Sequence, residues 1–162
     1  MNFSKKNSYL VSLLISTKNR LQDLKECIDS VLIQTAKPSE IILVDASDTH
    51  ESMEMVKESL MNKGIKLTYY KQEVVAGKIR KTATWNKVVR SALGDIIIFL
   101  DDDVILEKDY IYQILKTYHE NTENGIIGVM GRFENPRDKE NMQKERPFLY
   151  SLKVALYKYF LL

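Results

Sequence analysis

GDIIIFLDDDV, residues 94–104, decides the fold. Its centre, residues 95–100 (DIIIFL), is an apolar run with no polar alternation after the first aspartate. A run of that kind reads as a β-strand covered on both faces. Gly94 leads into it, and Asp101, Asp102 and Asp103 terminate it.

Working outward, Trp85, Val88, Val89, Ala92 and Leu93 recur at helical spacing and end at Gly94, so a helix precedes the strand. Tyr110, Ile111, Ile114, Leu115 and Tyr118 mark a helix after it, and residues 126–133 read as a further strand. Toward the start, residues 9–15 (YLVSLLI) are a first strand, followed by a polar turn over 17–20. Leu21, Leu24, Ile28, Val31 and Leu32 give a helix closed before Pro38, and residues 40–44 (EIILV) give a second strand. A turn over 45–49 leads to a helical stripe of Met53, Val56 and Leu60, with Gly64 placed as its C-cap. Residues 66–70 form a third strand, and 72–77 a loop. Strands and helices thus alternate, which predicts an α/β fold: a mainly parallel sheet with helices on both faces.

The 162 residues suit one domain with a real core. Basic and acidic residues number 24 and 22, and a net charge of +2 argues against nucleic acid as a partner. Cys27 is the only cysteine, so no internal disulfide forms and a reducing compartment follows. Cys27 falls on the apolar side of its helix, which predicts a buried, inert thiol. Lys5 and Lys6 make a short basic patch, and the apolar run after it is too short for a secretory signal or a span. The expected location is the cytoplasm.

In open α/β sheets ligands bind beyond the carboxyl ends of the strands. There the sequence places Ser16, Thr17, Asn19 and Arg20 after strand one, Asp45, Ser47 and Asp48 after strand two, and the aspartate triplet after strand four. Thr17, Asn19 or Asp48 could each be only a helix cap. The triplet is different, because adjacent carboxylates repel unless solvent or a cation offsets them. Alternation along an extended backbone turns Asp101 and Asp103 to one side and Asp102 to the other. Two such carboxylates suit magnesium or manganese, hard cations that take oxygen ligands. Magnesium in particular usually binds one or two carboxylates and completes its shell with substrate phosphates and water.

Other phosphate-binding designs are missing. The six glycines supply neither G-x-x-x-x-G-K-[ST] nor G-x-G-x-x-G, and there is no H-E-x-x-H and no cysteine pair for zinc. His50 and His119 are the only histidines, which leaves little for a catalytic triad.

Taken together, residues 11–20 (VSLLISTKNR), 41–48 (IILVDASD), 81–86 (KTATWN) and 94–104 resemble, in order and spacing, the family 2 glycosyltransferases of the GT-A fold. The resemblance covers roughly residues 9–133. It implies a Rossmann-like nucleotide-sugar-binding domain over residues 1–134, with a charged loop and an apolar, aromatic-rich segment over 135–162. By the same resemblance Asp45 contacts the nucleoside, Asp101 lies near the ribose, and Asp103 ligates Mn2+ or Mg2+, with Asp101 as its companion. Arg80 or Lys81 approaches the diphosphate. Ser16, Thr17, Arg20, Asp48 and Asp102 complete the set of donor-binding candidates. The chain departs from the family where Trp85 precedes Asn86, a place many members give to arginine, and where Lys18 replaces a common aromatic residue.

The reaction so implied moves a sugar from a nucleoside-diphosphate sugar to the hydroxyl of a glycan or lipid-linked acceptor, in building polysaccharide or cell-envelope glycan. It needs a general base, which the family carries in a downstream acceptor-binding half. The chain ends at Leu162, so a truncated enzyme is expected, and the catalytic residue is unassigned, with Glu134 the one weak candidate. Residues 147–162 are aromatic and basic with no acid. They suit either the inner face of a cell membrane or packing on the domain. Two alternatives stay open: a nucleotidyltransferase acting on a sugar phosphate, and a non-catalytic nucleotide-binding fragment.

Overall fold

The structure, a computed structural model, describes residues 9–72, 74–75, 78–79, 81–121, 128–129 and 131; of residues 74–83 it describes the backbone alone. Among these described residues ten elements follow in order: β1 (Val11–Thr17), α1 (Leu21–Leu32), β2 (Glu40–Asp45), α2 (Glu51–Ser59), β3 (Lys66–Lys71), β4 (Val74–Val75), β5 (Lys78–Ile79), α3 (Lys81–Ser91), β6 (Ile96–Asp101) and α4 (Tyr110–Glu120). The sheet lies within one compact unit, Lys6–Tyr112, and from Gln113 the chain belongs to a second. The domain boundary expected at residue 134 lies outside the described residues, as do the loop and segment over 135–162.

The main sheet has the order β3-β2-β1-β6 and is parallel throughout. Right-handed crossovers dictate where the helices go. From β1 the chain steps through α1 to β2 and through α2 to β3, always in one direction, so both helices cover one face and pack on each other. From β3 it returns past β2 and β1 to reach β6, so α3 covers the opposite face. Residue alternation agrees. Leu14, Ile42 and Val44 are buried against Val88 of α3, with Tyr70, Trp85 and Ile97 around them. Leu13, Ile15, Ile41 and Leu43 point the other way and are equally buried. On that side α1 buries Leu24, Cys27, Ile28 and Val31. Trp85 of α3 stacks on Phe99 of β6 with ring centroids 5.2 Å apart.

Several element ends differ from the sequence expectation. β1 and β6 both extend to polar residues, because Thr17 pairs in register with Asp45 and Ser16 with Asp101. The helix α2 stops at Ser59, short of Gly64; that glycine is left-handed (φ 69°) but turns the chain toward β3, as Asn62 (φ 59°) also does. The helix α3 ends at Ser91, which leaves Leu93 exposed. The loop expected over 72–77 contains part of a small antiparallel ladder, Val74 with Ile79 and Val75 with Lys78. Of the strand expected over 126–133 only residues 128, 129 and 131 are described, and they are not in a strand.

A buried Gln34 fastens the chain that leaves β6. Its side-chain amide donates to the carbonyls of Ser30 and Glu107, and its oxygen accepts the Ile111 amide in the first turn of α4. Thr35 adds a backbone bond to the Lys108 carbonyl at 2.8 Å.

Candidate functional site

In open parallel sheets ligands bind beyond the carboxyl ends of the strands, and in this one β1 lies between β2 and β6. The turns after β1, β2 and β6 meet there, as three sets of hydrogen bonds show.

The first set joins β1 to β6. Asp102 is almost fully buried: the Thr17 hydroxyl donates to its Oδ2 at 2.7 Å and Arg20 Nη1 to its Oδ1 at 3.1 Å. The same Nη1 donates to Asp103 Oδ2 at 2.9 Å. Asp101 ends β6, with an exposed side chain. The extended backbone stops at Asp101 and residues 102–103 form a turn. That corrects the expectation that one extended backbone runs through all three aspartates with Asp102 turned away: the turn brings Asp103 onto the guanidinium that also holds Asp102. Arg20 therefore supplies part of the positive charge that the triplet requires.

The second set joins β1 to β2. Asn19 is left-handed (φ 54°), a conformation asparagine tolerates better than most residues. Its amide N–H donates to Ser47 Oγ at 2.8 Å, its side-chain Nδ2 donates to Asp48 Oδ2 at 2.8 Å, and its Oδ1 accepts the Asp48 amide at 3.0 Å. Neither Asn19 nor Asp48 caps a helix. Arg20 and His50 hold the N-cap positions of α1 and α2, both without a side-chain cap bond.

The third set surrounds Asp45, which has 0% of its surface exposed. It accepts the Ser47 amide at 2.7 Å and the Tyr69 hydroxyl at 3.1 Å, with Lys71 Nζ 4.0 Å away. Lys71 also donates to the carbonyls of Ser47 and Thr49. The expected direct contact of Asp45 with a nucleoside thus meets a carboxylate with no open surface. As placed, Asp45 shapes the turn that presents Asp48. Tyr69 and Lys71 were missed in the sequence; their signal is position, a tyrosine and a lysine at the carboxyl end of the strand beside β2. Burial, then the charge of Asp45, pushes the Tyr69 phenol up to about 12.

Cys27 lies beneath the triplet, its thiol donating to the Asp101 carbonyl at 3.7 Å. Burial first, then the negative charges of Asp102, Asp103 and Asp101, pushes its thiol up to about 12. The native thiol should therefore resist a disulfide reagent at pH 8 and react once the chain is unfolded, as absorbance of the released thiolate would show; fast native reaction would contradict the burial. Because both acids are raised in the folded state, the unfolded chain loses these protons first. Stability should fall as pH rises from the ordinary thiol range near 9 toward 12.

Arg80, the side chain of Lys81 and Glu134 lie outside the described residues. Ser16 is half-buried beside Asp101. Among the described residues no three His, Cys, Asp or Glu side chains form a ready-made metal cage. Asp101 and Asp103 are both exposed, and carboxylate oxygens are the type of ligand a hard cation takes when a bound phosphate supplies the rest.

Comparison with known proteins agrees with this geometry. The family model described as Glycosyl transferase family 2 matches residues 12–161. An uncharacterized glycosyltransferase of Rickettsia felis is 36% identical over 111 residues, which are 68% of this chain and 17% of that protein. The chain therefore spans less than a fifth of that relative. Its fold is similar to that of the mannosyltransferase PcManGT from Pyrobaculum calidifontis, solved in complex with GDP-Man and Mn2+. The TM-score is 0.62 at 20% identity, over 82% of this chain and 38% of that one. It is also similar to S. aureus TarS 1-349 in complex with UDP-GlcNAc, with a TM-score of 0.54 at 21% identity, over 70% of this chain and 32% of that one. At these identities the likeness is one of fold, of the GT-A type.

Proposed function

The chain belongs to glycosyl transferase family 2, and from that membership we propose that it forms the donor-binding part of an enzyme that moves a sugar from a nucleoside-diphosphate sugar to an acceptor hydroxyl. The observation that carries this reading is the acidic turn at the carboxyl ends of β1 and β6, where Arg20, Asp101 and Asp103 present opposite charges. Asp101 and Asp103 would hold a manganese or magnesium ion there. When bound, such an ion offsets the charge that gathers on a departing diphosphate.

The chain's own residues divide the remaining work. Thr17 and Arg20 fix the buried Asp102, and that fixes where Asp101 and Asp103 stand. The Asn19–Asp48 pair and the Asp45–Tyr69–Lys71 group hold the turn after β2 as a second wall, facing the nucleoside. Donors of the kind bound by PcManGT and TarS, GDP-Man and UDP-GlcNAc, are the class to test. The acceptor we propose is a glycan or a lipid-linked glycan of the cell envelope, reached at the cytoplasmic face of a membrane. The aromatic, basic composition of residues 147–162 supports that placement. The family match favours glycosyl transfer over the nucleotidyltransferase alternative.

A thermal-shift panel of UDP, GDP and TDP, with and without Mn2+, tests the reading. One nucleotide should raise the melting temperature only when Mn2+ is present. At a hundred times its Kd the gain is about 2.7 kcal/mol, or roughly 5–10 °C for a chain of this size. No shift with any of the three in the presence of Mn2+ would overturn it.

A further inference from the structure

The acidic turn holds three carboxylates, and one guanidinium serves two of them unequally. Asp102 is 7% exposed at its side chain and is held by Thr17 as well as by Arg20. Asp103 is 54% exposed, and its 2.9 Å contact with Arg20, itself 51% exposed, lies in water. Exposed ion pairs are weak and screened, so the Arg20–Asp103 contact can be exchanged while the Asp102 clip stays closed. Only Nη1 of the guanidinium meets these carboxylates. Guanidinium N–H donors form a fork that matches phosphate oxygens two at a time.

We propose that Arg20 is a resident counter-ion that couples cation binding to diphosphate binding. In the free chain it occupies Asp103 and opposes a divalent cation by charge and by position. A diphosphate that takes the guanidinium releases Asp103 to the cation. Each ligand then strengthens the other by the same factor, since such linkage is reciprocal. The inference rests on the donor-binding reading above and adds the reason why neither ligand should bind well alone. Arg20 is here a positioning residue, acting through Asp103.

Titration of MnCl2, followed by the electron paramagnetic resonance signal of free Mn2+, reads the coupling without any assay of activity. It compares the full chain with Arg20→Gln, each without nucleotide, with UDP and with GDP. For the native chain, the effective nucleotide should tighten Mn2+ binding at least tenfold. Arg20→Gln should bind Mn2+ alone several-fold more tightly than the native chain and lose most of the nucleotide-dependent gain. If Arg20→Gln binds Mn2+ alone no more tightly, while the native chain still shows the nucleotide-dependent gain, Arg20 does not oppose the cation; the coupling is overturned and the donor-binding reading survives. If the native chain binds no Mn2+ even with nucleotide, both fall. Should Arg20→Gln fail to fold, Arg20→Lys carries the test. It keeps the charge but not the fork, so Mn2+ alone should stay weakly bound and the nucleotide-dependent gain should drop at least threefold. An undiminished gain in Arg20→Lys would overturn the proposal.

Discussion

Replacing Asp103 with alanine is expected to abolish the Mn2+-dependent part of nucleotide binding and to leave the fold intact. The two halves of that result have different physical origins. Asp103 stands in a turn after β6, more than half exposed, and its bond to Arg20 is a surface ion pair. Such pairs contribute about 0–1 kcal/mol, so the melting temperature should move by no more than a few degrees. Asp102 keeps its bond to Thr17 and its buried position, so the ends of β1 and β6 stay joined. What is lost, on the donor-binding reading proposed above, is one of the two carboxylates offered to a cation that otherwise leans on phosphate oxygens. We expect about a hundredfold loss of nucleotide affinity in the presence of Mn2+, equivalent to about 2.7 kcal/mol. Calorimetric titration with the effective nucleotide, with and without Mn2+, measures it. Binding in the absence of Mn2+ should hold or rise slightly, since Arg20 no longer has Asp103 to satisfy. If Asp103→Ala keeps a metal-dependent affinity equal to that of the native chain, the ligand assignment is wrong.

The same neighbourhood shows how far the sequence could be read. The strand over residues 41–44 was legible because a chain buried on both faces must be apolar at every position. The run over 96–100 reads the same way, but its second face is partly open, with Phe99 half exposed beside Trp85. Parallel order followed from the alternation of strands and helices. The polar residues that close β1, β2 and β6 were not legible as strand, because Thr17, Asp45 and Asp101 are held there by ladder partners on other strands. The two-residue strands at Val74–Val75 and Lys78–Ile79 are too short to leave a periodic signal. The triplet's need for positive charge could be read from repulsion alone. Its first answer, Arg20, lies more than eighty positions earlier in the chain, and a local reading of either segment gave no hint of the pair. Asp45 shows the opposite case. An aspartate after a strand looks like a ligand group, yet here Ser47, Tyr69 and Lys71 surround it, and the open carboxylate of that turn is Asp48.

A second polar residue escaped notice for the same reason, and its removal should weaken the molecule more than any change at the site. Glu40 begins β2 and is 1% exposed. Its Oε1 accepts the Ser12 hydroxyl at 2.5 Å and the Leu93 amide at 2.6 Å, and Ser12 Oγ in turn accepts the Gly94 amide at 2.8 Å. This chain of bonds holds the turn that leads into β6 against β1, so closely that a Cβ on Gly94 would lie 2.5 Å from the Ser12 backbone nitrogen. Glu40→Ala deletes two bonds to a charged acceptor, each worth about 1.5–3 kcal/mol, and leaves a part-buried amide and a buried hydroxyl without it. A loss of about 3–6 kcal/mol is a large share of the roughly 5–15 kcal/mol typical of a domain. It should lower the melting temperature by about 10–20 °C. Glu40→Gln keeps an acceptor oxygen in nearly the same shape and should recover more than half of that loss. Thermal denaturation followed by circular dichroism separates the three proteins, and a Glu40→Ala melt within two or three degrees of the native one would show that water replaces the carboxylate. Because Glu40 stands at the amino end of its strand and the candidate site at the carboxyl end, the folded fraction of Glu40→Gln should bind nucleotide and Mn2+ as the native chain does. A change in that affinity would mean that the turn before β6 also sets the position of the aspartates after it.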